Sequence, residues 1–223
     1  MSERPGRESR RLQQRVKLAQ QRSERTIEKV LLLAIATLVV VVALGHYLST
    51  SLLAIWLVTL ILITVAEVRL SKRILESRFP PAQMVSTINI LNSGTVAVGL
   101  SWGLMGLYIT TQSEFYEQVL LVILMSCLAI STTVQISTHF GPFVLYVLSL
   151  VGPAALGLVN CAGFEPRLLG GLLIVLSLAV LSVGWRHYQL LCHAIRAEIE
   201  AEEMNGVLQQ LNAKLASIAD EAS

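Results

Sequence analysis

Charge is scarce in this sequence: 14% of residues are Asp, Glu, Lys or Arg against 54% hydrophobic ones, and the mean hydropathy is +0.65. Soluble globular domains carry about a quarter charged residues, so that class is excluded. Cysteine is sparse as well. Cys127, Cys161 and Cys192 are odd in number, show no C-x-x-C spacing and fall in or beside apolar runs. That pattern argues against a disulfide framework and leaves single thiols. Walker A, G-x-S-x-G and H-E-x-x-H motifs are all missing, and the polar segments are too short for a catalytic domain. Within these residues the chain is therefore not expected to be an enzyme, no catalytic residue is assigned, and no cofactor is implied. The histidines are scattered. His187 and His193 lie six apart rather than the three or four that stack two ligands on a helix, and His139 with His187 is the only pair at conceivable matching depth, so no metal site is assigned.

What the chain does contain is six apolar runs of membrane-spanning length: Val30–Leu48, Leu52–Leu70, Ile88–Ile109, Gln118–Ser137, Phe143–Cys161 and Leu168–Tyr188. The first is preceded by a polar segment too long for an ordinary signal-peptide n-region, so it reads as a retained helix despite the small-x-small Ala43-Leu44-Gly45. The expected fold is an all-α membrane protein of six transmembrane helices with a C-terminal coiled-coil signalling helix. Its expected parts are a basic tail over residues 1–29, a membrane domain over 30–188 and a coiled-coil linker over 189–223.

Positive charge sorts the connections. The tail carries Arg4, Arg7, Arg10, Arg11, Arg15, Lys17, Arg22, Arg25 and Lys29, and the same side receives Arg69, Lys72, Arg73, Arg78, Arg186, Arg196 and Lys214. Arg167 alone falls on the other side. The positive-inside rule then puts both termini in the cytoplasm of a multi-pass membrane protein. The tail reads as a solvated cytoplasmic extension or, more sharply, as a contact for anionic lipid headgroups; no aromatic interleaves its arginines, so the expected partner is the lipid bilayer and no nucleic acid. Tyr47, Tyr108, Phe115 and Tyr116 cluster towards one face and Phe140, Phe143, Trp185 and Tyr188 towards the other, as interfacial belts do. The connections on the outer side span about three, eight and six residues, too few for a folded extracellular sensing domain, so any stimulus is read in the bilayer, at its surface or through a partner.

The third run is the most polar. Asn89, Asn92 and Ser93 are three and four apart and share a helical face, and Gly99-Leu100-Ser101-Trp102-Gly103 is a G-x-x-x-G. The structural reading is close helix approach; the functional one is a ligand cavity walled by Asn89, Asn92, Ser93 and the helix kinked at Pro153. The hydroxyls of Ser131, Thr132 and Thr133 can bond back to their own helix. Glu67 sits near the inner edge of the hydrocarbon, where snorkelling or pairing with cationic neighbours is expected. No charge occupies the centre of a run, which argues against an ion-coupled transporter.

Past Pro166 no proline follows, so the last run is expected to continue as one helix into water. That arm carries Met204, Leu208, Leu211, Leu215 and Ile218, spaced 4, 3, 4, 3 as the a/d seam of a coiled coil. Upstream the same phase meets Ala201, Ala197 and Ala194, while Ile195 and Ile199 occupy a neighbouring stripe, a pattern that resembles a stutter.

This arm, Glu198-Ile199-Glu200-Ala201-Glu202-Glu203-Met204-Asn205 and Leu208-Gln209-Gln210-Leu211-Asn212-Ala213-Lys214-Leu215, resembles the signalling helix of bacterial membrane receptors in which a polytopic sensor precedes a histidine kinase or a diguanylate cyclase. The ending Ile218-Ala219-Asp220-Glu221-Ala222-Ser223 is similar to the stretch before the phosphoacceptor helix of hybrid histidine kinases, more than to the start of a cyclase domain. The resemblance implies a sensor in a bacterial inner membrane that dimerises through the coiled coil and passes a stimulus to a histidine kinase output domain, with a response regulator as a further cytoplasmic partner. The family's active-site residues map onto nothing here, because the phosphoacceptor motif, the glycine boxes and Gly-Gly-Asp-Glu-Phe are missing. The alternatives are the same module serving a diguanylate cyclase, a small transporter, or a membrane scaffold.

Overall fold

The computed structural model describes residues 26–76, 81–136 and 140–221, and the side chains of these except at 75–76, 81–85, 134–136, 202–203, 213 and 215–221. The basic tail through Arg25, Arg78 to Pro80, Ser137 to His139 and the side chains of Leu215 and Ile218 lie outside the described residues.

Among the described residues every regular element is helical: α1 (Thr26–Leu44), a 3-10 turn (Gly45–Tyr47), α2 (Thr50–Glu76), α3 (Pro81–Gln112), α4 (Phe115–Ile136), α5 (Phe140–Asn160) and α6 (Phe164–Glu221). Six helices are long and apolar enough to cross a membrane. Each contains most or all of one apolar run, and the helices outlast the runs because apolarity marks what a bilayer can hold, not where backbone hydrogen bonding stops. Pro81 opens α3, where its missing N–H costs nothing. Gly163, at φ 112°, turns the chain between α5 and α6.

The order of burial follows the packing. α3 and α5 form the central pair, α6 lies along α5 and α4, α1 leans on α4, and α2 leans on α3. The G-x-x-x-G reading as close approach is what α3 does. A β-carbon on Gly99 would lie 2.9 Å from the Tyr146 carbonyl oxygen, one on Gly103 would overlap the Ser149 carbonyl, and one on Gly106 would meet Met125 and Ala154. At the far end of the pair, Gly157 of α5 makes room for Thr110. The stripe of Gly99, Gly103, Gly106 and Thr110 therefore brings two helix backbones together where lipid offers no hydrophobic gain for doing so. Around the contact Trp102, Phe143, Tyr146 and Leu150 are fully buried.

Polar atoms inside the bundle are mostly consumed locally. Ser131 donates to Leu128 O at 3.0 Å, Thr132 to the same carbonyl at 2.8 Å, and Thr133 to Ala129 O at 3.1 Å, as the sequence predicts. Where α3 ends, the Thr110 carbonyl has no helical donor and accepts instead from Gln118 Nε2 at 3.1 Å and Cys161 Sγ at 3.2 Å. The aromatic groups also segregate: Phe140 packs on Trp185 at 4.7 Å and Trp185 on Tyr188 at 5.8 Å, while His46 stacks on Tyr47 and Phe115 on Tyr116 elsewhere.

Candidate functional site

Antiparallel helices joined by a short turn bring together residues that lie equally far from it. Lys29 of α1 and Glu67 of α2 are each about 24–27 Å from the Gly45–Ser49 turn at 1.5 Å per residue. They meet. Lys29 Nζ lies 2.6 Å from Glu67 Oε2. Thr95 of α3 closes a triangle, its hydroxyl donating to Glu67 Oε1 at 2.6 Å and accepting from Lys29 Nζ at 3.3 Å. One turn further from the turn, Thr26 Oγ1 donates to Ser71 Oγ at 3.0 Å. Gly94 gives Glu67 its space, since a β-carbon there would sit 3.4 Å from Glu67 Cγ.

These groups are buried, with 9%, 3% and 0% of Lys29, Glu67 and Thr95 exposed. Taking either charge out of water alone costs several kcal/mol, and their mutual attraction offsets that only when the remaining hydrogen-bonding sites are filled. Thr95 takes part in that filling: as donor to one carboxylate oxygen and acceptor from the ammonium, it joins both charges. The arrangement ties three helices at one depth.

One sequence expectation changes here, that for Lys29, and for Glu67 the pairing alternative holds. Lys29 does not belong to a solvated tail ending at residue 29: α1 starts at Thr26, and Lys29 is drawn inward to a buried counter-ion, Glu67, on α2. Glu67 does not snorkel, and among the described residues its ion-pair partner is Lys29 rather than the nearby Arg69. What could have exposed the pair is depth matching about the first turn, combined with opposite sign.

The residues expected to line a ligand cavity are not gathered into one. Asn89 and Ser93 are exposed on the outer side of α3, joined by Ser93 Oγ donating to Asn89 O at 3.0 Å, and Asn92 is half-buried. Pro153 lies on the other helix face, against Gly103. A cavity among the described residues lies elsewhere. A groove of about 400 Å³ runs between α1 and α2, lined on one side by Val30, Leu33, Thr37 and Val41 and on the other by Leu57, Ile61, Thr64 and Val65, among others. Thr37 spends its hydrogen on Leu33 O at 2.7 Å, and apart from Thr37 and Thr64 the lining is apolar. It begins one residue from Lys29. The α1–α2 hairpin is thus fastened at its turn and at its polar rungs, and parted between them.

Of the expected seam, Met204, Leu208 and Leu211 are exposed on α6, whereas Ile195 and Ile199 are buried together with half-buried Leu191. The two stripes read from the sequence are therefore in different surroundings.

No family model matches this chain, and no curated protein or solved structure is significantly similar to it.

Proposed function

We propose that the chain is a membrane sensor and dimerising signal-transduction module, with both termini in the cytoplasm of a bacterial inner membrane, that passes a stimulus along α6 to a cytoplasmic output domain. The observation that carries this reading is α6 itself. Its 58 residues form one helix, about 87 Å long, of which a bilayer takes about 30 Å. Its first half packs in the bundle through Leu169, Leu173, Ser177 and Val180, and its second half presents Met204, Leu208 and Leu211 outward. A displacement of the packed half is conveyed without a hinge to the exposed stripe, which a second copy would cover as an a/d seam. The resemblance of the arm to receptor signalling helices favours a histidine kinase as the output.

In native membranes, a Leu208→Cys variant is expected to form an oxidative dimer at least tenfold faster than Gln209→Cys or Gln210→Cys. One extra residue after Ala201 should abolish that preference, and seven should restore it, because seven residues return the seam to its phase. Equal cross-linking around the helix would exclude the coiled coil. Only the buried Lys29–Glu67 pair favours a transporter instead, and its depth near the helix ends, rather than mid-span, weighs against a mid-bilayer substrate site.

A further inference from the structure

The groove between α1 and α2 has the dimensions of one lipid chain, and we propose that it is a specific site for a single acyl chain of a bilayer phospholipid whose headgroup lies at the level of Lys29. This rests on the sensor reading and supplies it with a class of ligand.

Length is the first argument. From Val30 to Val41 the groove extends about 16 Å along α1. Half of a hydrocarbon core about 30 Å thick is the depth of one leaflet. Placement agrees with it. The groove starts where the charged rung ends, at the end of the hairpin remote from the Gly45–Ser49 turn, so a chain entering beside Lys29 and Glu67 would run towards mid-bilayer.

Width decides the occupant. A volume of about 400 Å³ over about 16 Å is a mean cross-section of about 25 Å², room for one extended hydrocarbon chain. A helix is about 10 Å across with its side chains, wider than the groove, so a helix of a second copy would lie over it and not fill it. The rim, at Leu38, Ile61 and Val65, is exposed and apolar, continuous with the outward faces of both helices, and the lining is apolar but for Thr37 and Thr64.

A ligand here acts on a hairpin held at both ends. Filling the groove props α1 from α2, and α1 leans on α4, which in turn packs against α6. Chain length or unsaturation is therefore what the site would distinguish.

The test uses the full chain in nanodiscs of phosphatidylcholine carrying a mid-chain diazirine on one acyl chain, with labelled residues mapped by mass spectrometry. Leu33, Leu57 and Leu60 should be labelled at least fivefold more than Leu148, Leu156 and Leu178, which are exposed on other helices. Ala34→Trp should suppress groove labelling at least fivefold and leave Leu178 labelling unchanged. Leu38→Trp, at the exposed rim, should do the same without touching the interior of the bundle. Even labelling around all helices would overturn the proposal and leave only annular lipid. So would a Leu38→Cys disulfide between two copies, which would show protein covering the groove. Cross-linking through Leu208→Cys in the same nanodiscs reads the α6 seam separately. Loss of groove labelling with an intact seam removes the lipid site alone, and the reverse removes the sensor reading.

Discussion

Replacing Lys29 by methionine is expected to destabilise the protein by about 3–5 kcal/mol, and Glu67→Leu by a similar amount, while the double variant returns to within about 1–2 kcal/mol of the original. Each single change leaves one charge in an apolar setting. Without Lys29, the Glu67 carboxylate loses its ion-pair partner and keeps the Thr95 hydroxyl; without Glu67, the ammonium loses the carboxylate at 2.6 Å and keeps the Thr95 oxygen at 3.3 Å. The neighbourhood offers neither of them water, since all three groups are at least nine-tenths buried. Replacing both removes the desolvation cost with the attraction, so the double-mutant cycle should show a coupling of several kcal/mol, far above the about 0.3–0.5 kcal/mol error of additivity for independent sites. Reversible unfolding in mixed micelles measures it. Single-variant losses below about 1 kcal/mol would mean that both side chains reach solvent. Thr95→Val should cost less, about 1–3 kcal/mol, because it unseats two hydrogen bonds but leaves the charges paired.

The helices were legible because six runs of hydrophobicity at bilayer length leave little alternative, and the uninterrupted last helix because nothing after Pro166 breaks it. The closeness of α3 was legible in Gly99 and Gly103, whose small size has meaning only if a neighbour comes near; which neighbour it was, α5, depended on long-range packing. Lys29 was misplaced for a different reason. Hydropathy scores each residue against water or lipid one at a time, and a lysine at the edge of an apolar run scores as tail. Its burial is a property of the pair, created by Glu67 from 38 positions away. The polar cluster of Asn89, Asn92 and Ser93 misled in the opposite direction: periodicity puts them on one face, but it does not say whether that face looks inward. The groove was invisible, since it is made by two helices touching little along their middles, and absence of contact leaves no mark in composition. The coiled-coil spacing rests on Met204, Leu208 and Leu211 being exposed, which agrees with a seam awaiting a partner and is not itself a seam.

Substituting Gly103 by alanine, the smallest change a helix can accept, is expected to cost about 3 kcal/mol or more, and Gly103→Leu to prevent α3 and α5 from docking at all. In the interior of an isolated helix the same Gly→Ala change stabilises by up to about 1 kcal/mol, so the sign is set by the neighbour. A β-carbon would overlap the Ser149 carbonyl, with Leu150 O at 2.9 Å and Pro153 Cδ at 3.1 Å closing the other directions. Two of these three are backbone, which cannot step aside as a side chain can; the helices must separate, and the fully buried residues around the contact lose their packing. Pro153 explains why the approach is so near. Having no N–H, it leaves the Ser149 carbonyl without its helical donor, and a glycine α-carbon can lie against that oxygen as a weak C–H donor. Gly152→Ala and Gly171→Ala are the controls: a β-carbon at either meets nothing within 4 Å, so both should be neutral or stabilising. Thermal unfolding in detergent, followed by circular dichroism on the five proteins, tests the set. If Gly103→Ala melts with Gly152→Ala, the α3–α5 contact is looser than two backbones in van der Waals touch, and Pro153 is then only a kink.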